Sequence, residues 1–171
     1  MNQHHALTLK FPGISRILAT EVNITIPGTP STAKIIAIWD TGATGTCITT
    51  KVVQALGLVP TGQAMVSTAN GKVMQNTYSI NVTLPNNITV EGIVATEVEG
   101  LHGGAESLIG MDIIALGDFS ITNHNNVTCM SFRMPSGHEI DYVKNPTYGL
   151  TTVRTGKPTN VTPPKKKRKK R

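Results

Sequence analysis

The feature that most constrains this chain is a short apolar run, Ile35-Ile36-Ala37-Ile38-Trp39, that ends on an acid, Asp40. Small, hydroxylated and flexible residues follow at once: Thr41, Gly42, Ala43, Thr44, Gly45 and Thr46. The near-continuous apolar stretch 34–39 predicts a strand covered on both faces. A carboxylate at the end of a core strand is costly unless it is hydrogen-bonded or protonated. Backbone N–H groups in a glycine-containing turn can supply those bonds, and a threonine hydroxyl can brace the loop. The stretch therefore predicts a buried strand that stops abruptly and presents one acid on a tight turn. Asp40-Thr41-Gly42 alone fits a solvated loop acid equally well.

The rest of the chain is written in the same idiom. Hydrophobic residues make up 39% and aromatics only 4%, so Val, Ile, Leu and Ala carry the apolar content, and the many Thr and Gly lean toward β structure. Residues 7–11 alternate before Pro12-Gly13, and 22–26 alternate before the turn Pro27-Gly28-Thr29-Pro30. A short strand is expected at 47–49. A helix is expected from Lys51 to about Leu56, capped by Thr50 and stopped by Gly57. Stretch 64–78 has β propensity on both sides of Asn70-Gly71, a strong hairpin signal. An antiparallel pair follows at 80–84 and 88–98, around Pro85-Asn86-Asn87. Leu108-Ile109-Gly110 leads into a short helix ending at Gly117. A last hairpin joins 118–121 to 127–132, and 137–143 is expected to add one more strand. The sum is an all-β chain: a closed or nearly closed antiparallel, barrel-like domain with one or two short helices.

Charge separates the ends from the body. The net charge of +6 is misleading, because seven of the sixteen Lys and Arg form the run Lys165-Lys166-Lys167-Arg168-Lys169-Lys170-Arg171. That leaves nine basic against ten acidic residues elsewhere, so the body has no basic face to suggest nucleic-acid binding. The run leaves room only for a weak anionic partner, through phosphate contacts that carry no sequence information. From Asn145 on, Thr, Pro, Gly and Lys dominate, which predicts a flexible tail. The expected division is an N-terminal arm at 1–19, a folded domain at 20–144 and a tail at 145–171. Cys47 and Cys129 are too few for a disulfide scaffold and read as small buried hydrophobes. No apolar stretch approaches the roughly 18 residues of a membrane span, and residues 1–5 lack the pattern of a secretory signal. The expectation is a cytoplasmic protein.

Three features in order carry a resemblance. The first is Asp40-Thr41-Gly42-Ala43. The second is the hairpin around Asn70-Gly71, some thirty residues on. The third is Leu108-Ile109-Gly110-Met111-Asp112. Together they resemble the retropepsin-like aspartic proteases, the single-lobe branch that includes retroviral, retrotransposon and bacterial forms, over about residues 20–132. The resemblance implies an acid-protease lobe with a flap hairpin that hydrolyses peptide bonds without a cofactor. Asp40 would be the catalytic acid/base. Thr41 would reach the opposite subunit's loop, and Gly42 would allow close approach and accept a substrate N–H. Ala43 and Thr44 would begin the rim that contacts substrate. Val66, Ser67, Thr68, Ala69, Asn70, Gly71, Lys72 and Val73 would form the flap over an extended polypeptide. Leu108, Ile109, Gly110 and Asp112 would be the structural signature. Two departures stand out. Thr44 occupies a position where retroviral members often have Asp. Met111 stands where they commonly have an Arg that supports the dimer, and an apolar residue there is closer to retrotransposon and DNA-damage-inducible-type relatives.

Aspartic proteases work with two carboxyls about 3 Å apart, which share one proton because both cannot ionise. This chain has one Asp-Thr/Ser-Gly. Asp112 and Asp118 lack the residues that follow such an acid, and Asp141 precedes Tyr142. The resemblance therefore implies a homodimer in which two copies of Asp40 face each other across a two-fold axis. Residues 7–11 and 137–143 are candidate interface strands. His102 with Glu106 lacks further spaced ligands, so no metal site is expected. Ser67 and Ser107 lack a Gly-x-Ser-x-Gly context. Two other readings stand beside the protease: a catalytically silent dimeric module that holds an extended peptide, and a dimer directed to nucleic acid or a membrane by its tail.

Overall fold

The computed structural model describes residues 5–68 and 71–144. Ten strands and two short helices follow one another along them: β1 (His5–Phe11), β2 (Ala19–Thr25), β3 (Thr32–Trp39), β4 (Cys47–Thr49), α1 (Thr50–Leu56), β5 (Gly62–Thr68), β6 (Gly71–Thr83), β7 (Thr89–Val98), β8 (Ser107–Ile109), α2 (Met111–Ile114), β9 (Asp118–Thr122) and β10 (Thr128–Met134). The class is the expected one, mostly strand with two short helices.

Seven strands lie in the order β2-β3-β8-β4-β7-β6-β5, and β2 also pairs with β6 through Asn23–Thr83, Ile24–Val82 and Thr25–Asn81. That pairing turns six strands into a ring and leaves β5 on the outside. The sequence predicts an antiparallel domain, whereas the ring is mixed. β3 runs parallel to β8, and β4 runs parallel to β7. Parallel neighbours need a long crossover, and here most of the chain between β3 and β8 supplies it. The apolar interior follows from alternation. On β2, Val22 and Ile24 point in while Glu21 and Asn23 point out. β3 is covered on one face only: Ile35 and Ala37 are buried, but Ile36 is 42% exposed, so an apolar sequence run overstated its cover.

β1, β10 and β9 form a second, antiparallel sheet. Trp39 joins it to the ring. Its indole stacks on Phe119 at 5.5 Å and 8°, packs against Phe132 at 5.1 Å, and donates Nε1–H to Thr20 Oγ1 at 2.9 Å. The last residue before Asp40 is thereby fixed on both its apolar and its polar sides.

Two local expectations change. Thr50 is the first helical residue and not the cap. Its hydroxyl turns to Glu97 Oε1 at 2.9 Å, while Gly57 ends the helix at φ +63° as expected. Residues 137–143 form no strand. Ser136 Oγ–H and Gly137 N–H instead donate to the Asp118 carboxylate, and Asp141 accepts the N–H groups of Val143 and Lys144 in a local turn. No helix among the described residues is long and apolar enough to cross a membrane.

Candidate active site

β3 ends at Trp39, and Asp40 leaves the strand while still tied to β8: its N–H donates to Ile109 O at 3.0 Å. The chain then turns sharply. Ala43 N–H donates to Asp40 O at 3.2 Å, and Gly42 N–H donates to Asp40 Oδ1 at 2.8 Å. A Cβ on Gly42 would stand 3.1 Å from that same oxygen, so glycine lets the backbone close on the carboxylate. Asp40 is half-buried, and Thr41, Gly42 and Thr44 are exposed. The acid is thus held in one orientation by its own loop while its side chain remains reachable from solvent.

The other half of the loop is held from the far end of the sequence. Ala43 O accepts Met111 N–H at 2.9 Å. Gly110 lies so close to Gly45 that a Cβ there would meet the Gly45 carbonyl carbon at 2.4 Å. Thr46 donates its N–H to Asp112 Oδ2 at 2.9 Å and its hydroxyl to Asp112 Oδ1 at 2.8 Å, and Gly110 N–H donates to Thr46 Oγ1 at 3.3 Å. Asp112 Oδ1 also accepts Ile113 N–H at 3.0 Å. The structure therefore brings the Asp40 loop and the Leu108–Asp112 segment into one interlocked unit. Thr46 is the residue that sequence reasoning missed as a partner of Asp112. It is almost wholly buried, but in a run of Thr and Gly nothing local marks it.

Beneath the loop lies Cys47. Burial pushes its thiol up, and the charges of Asp40 and Asp112 act in the same direction against a partial offset from the Leu108 backbone. A thiol held neutral in this way is a poor nucleophile. Glu106 pairs with Lys51 at 2.6 Å, and among the described residues no cluster of His, Cys, Asp and Glu is placed to hold a metal ion.

Val66, Ser67 and Thr68 lie on β5, and Gly71, Lys72 and Val73 lie on β6. The register pairs Val66 with Val73, Ser67 with Lys72 and Thr68 with Gly71. Residues 69 and 70, which include Asn70 of the expected turn, lie outside the described residues. Gly71 adopts φ +120°, which side chains rarely tolerate.

The family model described as "gag-polyprotein putative aspartyl protease" matches residues 22–115. That span contains the Asp40 loop, the hairpin and the Leu108–Asp112 segment. The chain belongs to this aspartyl protease family. Among solved structures, a retropepsin-like aspartic protease from Rickettsia conorii is 18% identical, with 78% of this chain and 98% of that one covered at a TM-score of 0.48. The protease of EIAV, solved with the inhibitor HBY-793, is 14% identical over 60% of this chain and 88% of that one, at a TM-score of 0.46. The simian foamy virus protease is 21% identical over 56% and 92%, at a TM-score of 0.39. No curated protein matches the sequence. For an aspartyl protease, a half-exposed aspartate in a loop locked from two sides is the arrangement of interest.

Proposed function

We propose that this chain is an aspartic endopeptidase that works as a homodimer, with the two Asp40 side chains sharing one proton and one water. The observation that carries the reading is the Asp40 carboxylate, accepting Gly42 N–H at 2.8 Å in a loop pinned by Asp112. Two other aspartates of the folded domain are committed elsewhere. Asp112 is taken up by Thr46 and Ile113, and Asp118 by Arg133, Ser136 and Gly137. The second carboxyl then comes from a second copy of Asp40.

In that dimer one carboxylate takes a proton from water while its protonated mate donates to the scissile carbonyl oxygen, so the peptide bond is hydrolysed with no covalent intermediate. Thr41 is exposed at the loop tip, where its hydroxyl can meet the partner copy's loop. Gly42, Ala43 and Thr44 form the rim for substrate. An extended polypeptide lies under the β5–β6 hairpin and is held by backbone hydrogen bonds, with alternate side chains read by pockets. No step needs a cofactor. We also place the protein in a reducing, cytoplasmic setting, which suits its free thiols Cys47 and Cys129.

The test is digestion of a mixed peptide library from about pH 4 to 7, so that either protonation state of a general acid or base is sampled, followed by mass spectrometry. Cleavage by the parent and none by Asp40→Asn is the expected result. An Asp40→Asn chain that cuts as well as the parent overturns the assignment. A dimer that cuts nothing favours a silent peptide-binding module.

A further inference from the structure

The β5–β6 hairpin has a sharp boundary along its length. On β6, residues 71–74 are all exposed, whereas Thr77 and Tyr78 are buried. The chain changes from a projecting arm to a packed strand across Gln75 and Asn76. At that boundary a single carboxylate collects the polar groups. Glu97, on β7, accepts Tyr78 OH at 2.7 Å and Asn76 Nδ2 at 3.4 Å on one oxygen, and Thr50 Oγ1 at 2.9 Å on the other. Asn76 Oδ1 in turn accepts Gln63 Nε2 at 3.3 Å. One chain of hydrogen bonds thus runs from β5 through β6 and β7 to the first residue of α1.

We propose that Glu97 is a positioning residue for substrate binding, one that fixes the root of the β5–β6 hairpin to the start of α1 and so sets where the projecting arm stands. The inference rests on the proposed function, in which that arm covers the substrate. Alternation along β6 puts Lys72, Met74, Asn76 and Tyr78 on one face. Met74 pairs with Met65, and these side chains are 51% and 58% exposed. The face that Glu97 grips at its base is therefore the face that carries an open apolar pair further out. Backbone pairing with β7 and the bonds from Thr61 to Thr77 O also hold the root, but Glu97 is the side chain that ties it to α1, so weakening Glu97 shifts where the tip stands. The Tyr78 hydroxyl holds the Glu97 carboxyl below its usual range, with Thr50 and Asn76 acting the same way against a partial offset from burial. Tyr78 is pushed up by burial and by Glu97. The carboxylate and the phenol thus keep the protonation states that the clamp needs. Tyr78 is the only titratable side chain bonded to Glu97 among the described residues.

The experiment compares the parent with Glu97→Gln and Glu97→Asp. On a peptide that the parent cleaves, Glu97→Gln should raise KM by about five- to tenfold and leave kcat within about twofold. Amide exchange over the hairpin root should quicken while β2 and β3 keep the parent's rates. Glu97→Asp retains the charge on a shorter arm and should recover part of the lost affinity. A folded Glu97→Gln chain with the parent's KM and the parent's exchange at the root overturns the proposal. A parent that cleaves nothing defeats the activity reading but leaves the clamp decided by exchange: faster exchange in Glu97→Gln upholds it, and unchanged exchange overturns it.

Discussion

Thr46 gives both of its donors to one carboxylate, its N–H to Asp112 Oδ2 at 2.9 Å and its hydroxyl to Asp112 Oδ1 at 2.8 Å. The two residues are 66 positions apart, and between them they close the loop that presents Asp40. Replacing Asp112 by Ala removes the acceptor from Thr46 N–H and from Thr46 Oγ at once, while Ile113 N–H keeps Gly110 O at 3.2 Å. Leaving buried donors unpaired costs about 1–3 kcal/mol for each group. Asp112→Ala should therefore lower the urea midpoint clearly and abolish peptide cleavage even where the chain still folds. Thr46→Val should show a smaller loss, because the backbone N–H bond survives.

Gly110 makes the second tie. Its missing Cβ leaves room for the Gly45 backbone, which a Cβ would meet at 2.4 Å. Backbone cannot move aside as a flexible side chain can, so Gly110→Ala should push the Asp40 loop away from β8. Overpacking of this kind costs about 1–3 kcal/mol or more. Thermal melting should show the loss, and the fraction of soluble protein on expression should fall with it.

These ties also show what the sequence could and could not say. Asp40, its small followers and Leu108-Ile109-Gly110-Met111-Asp112 were legible because each is a local pattern: a strand, a glycine and an acid in fixed order. The bond between Thr46 and Asp112 was not, because neither residue carries a mark of its distant partner. Ile36 misled for a related reason, since an apolar run cannot say which face the sheet leaves open. β6 runs unbroken from Gly71 to Thr83, through Ser79, which separates the two strands expected there. The parallel pairs β3–β8 and β4–β7 depend on long-range placement that alternation does not encode. In place of a strand at 137–143, Asp118 takes up the Ser136 hydroxyl and Gly137 N–H, and Asp141 closes a local turn on Val143 and Lys144.

Asp118 also predicts how stability depends on pH. The Ser136 hydroxyl, then Gly137 N–H and the Arg133 guanidinium, hold its carboxyl well below the usual carboxylate range. Because the folded value lies below the unfolded one, near about 4, the unfolded chain binds the proton more readily. The stabilisation is complete above the unfolded value and is lost as pH falls through the folded one. Asp118→Asn should be less stable than the parent at neutral pH, and the gap between their melting temperatures should close as the solution is made strongly acid. Glu97, whose carboxyl is also held low, should leave the variant with a residual acid slope of the same sign. A gap that stays constant with pH contradicts this assignment.

The central claim is that Asp40 works only against the Asp40 of a second copy. Mixing parent with Asp40→Asn at fixed total concentration, under conditions that let subunits exchange, tests it directly. If both carboxyls are needed, activity falls as the square of the parent fraction, and an equal mixture keeps about a quarter of the activity of the parent alone. A linear fall, with half the activity left at equal mixing, would show that one Asp40 suffices and would contradict the account.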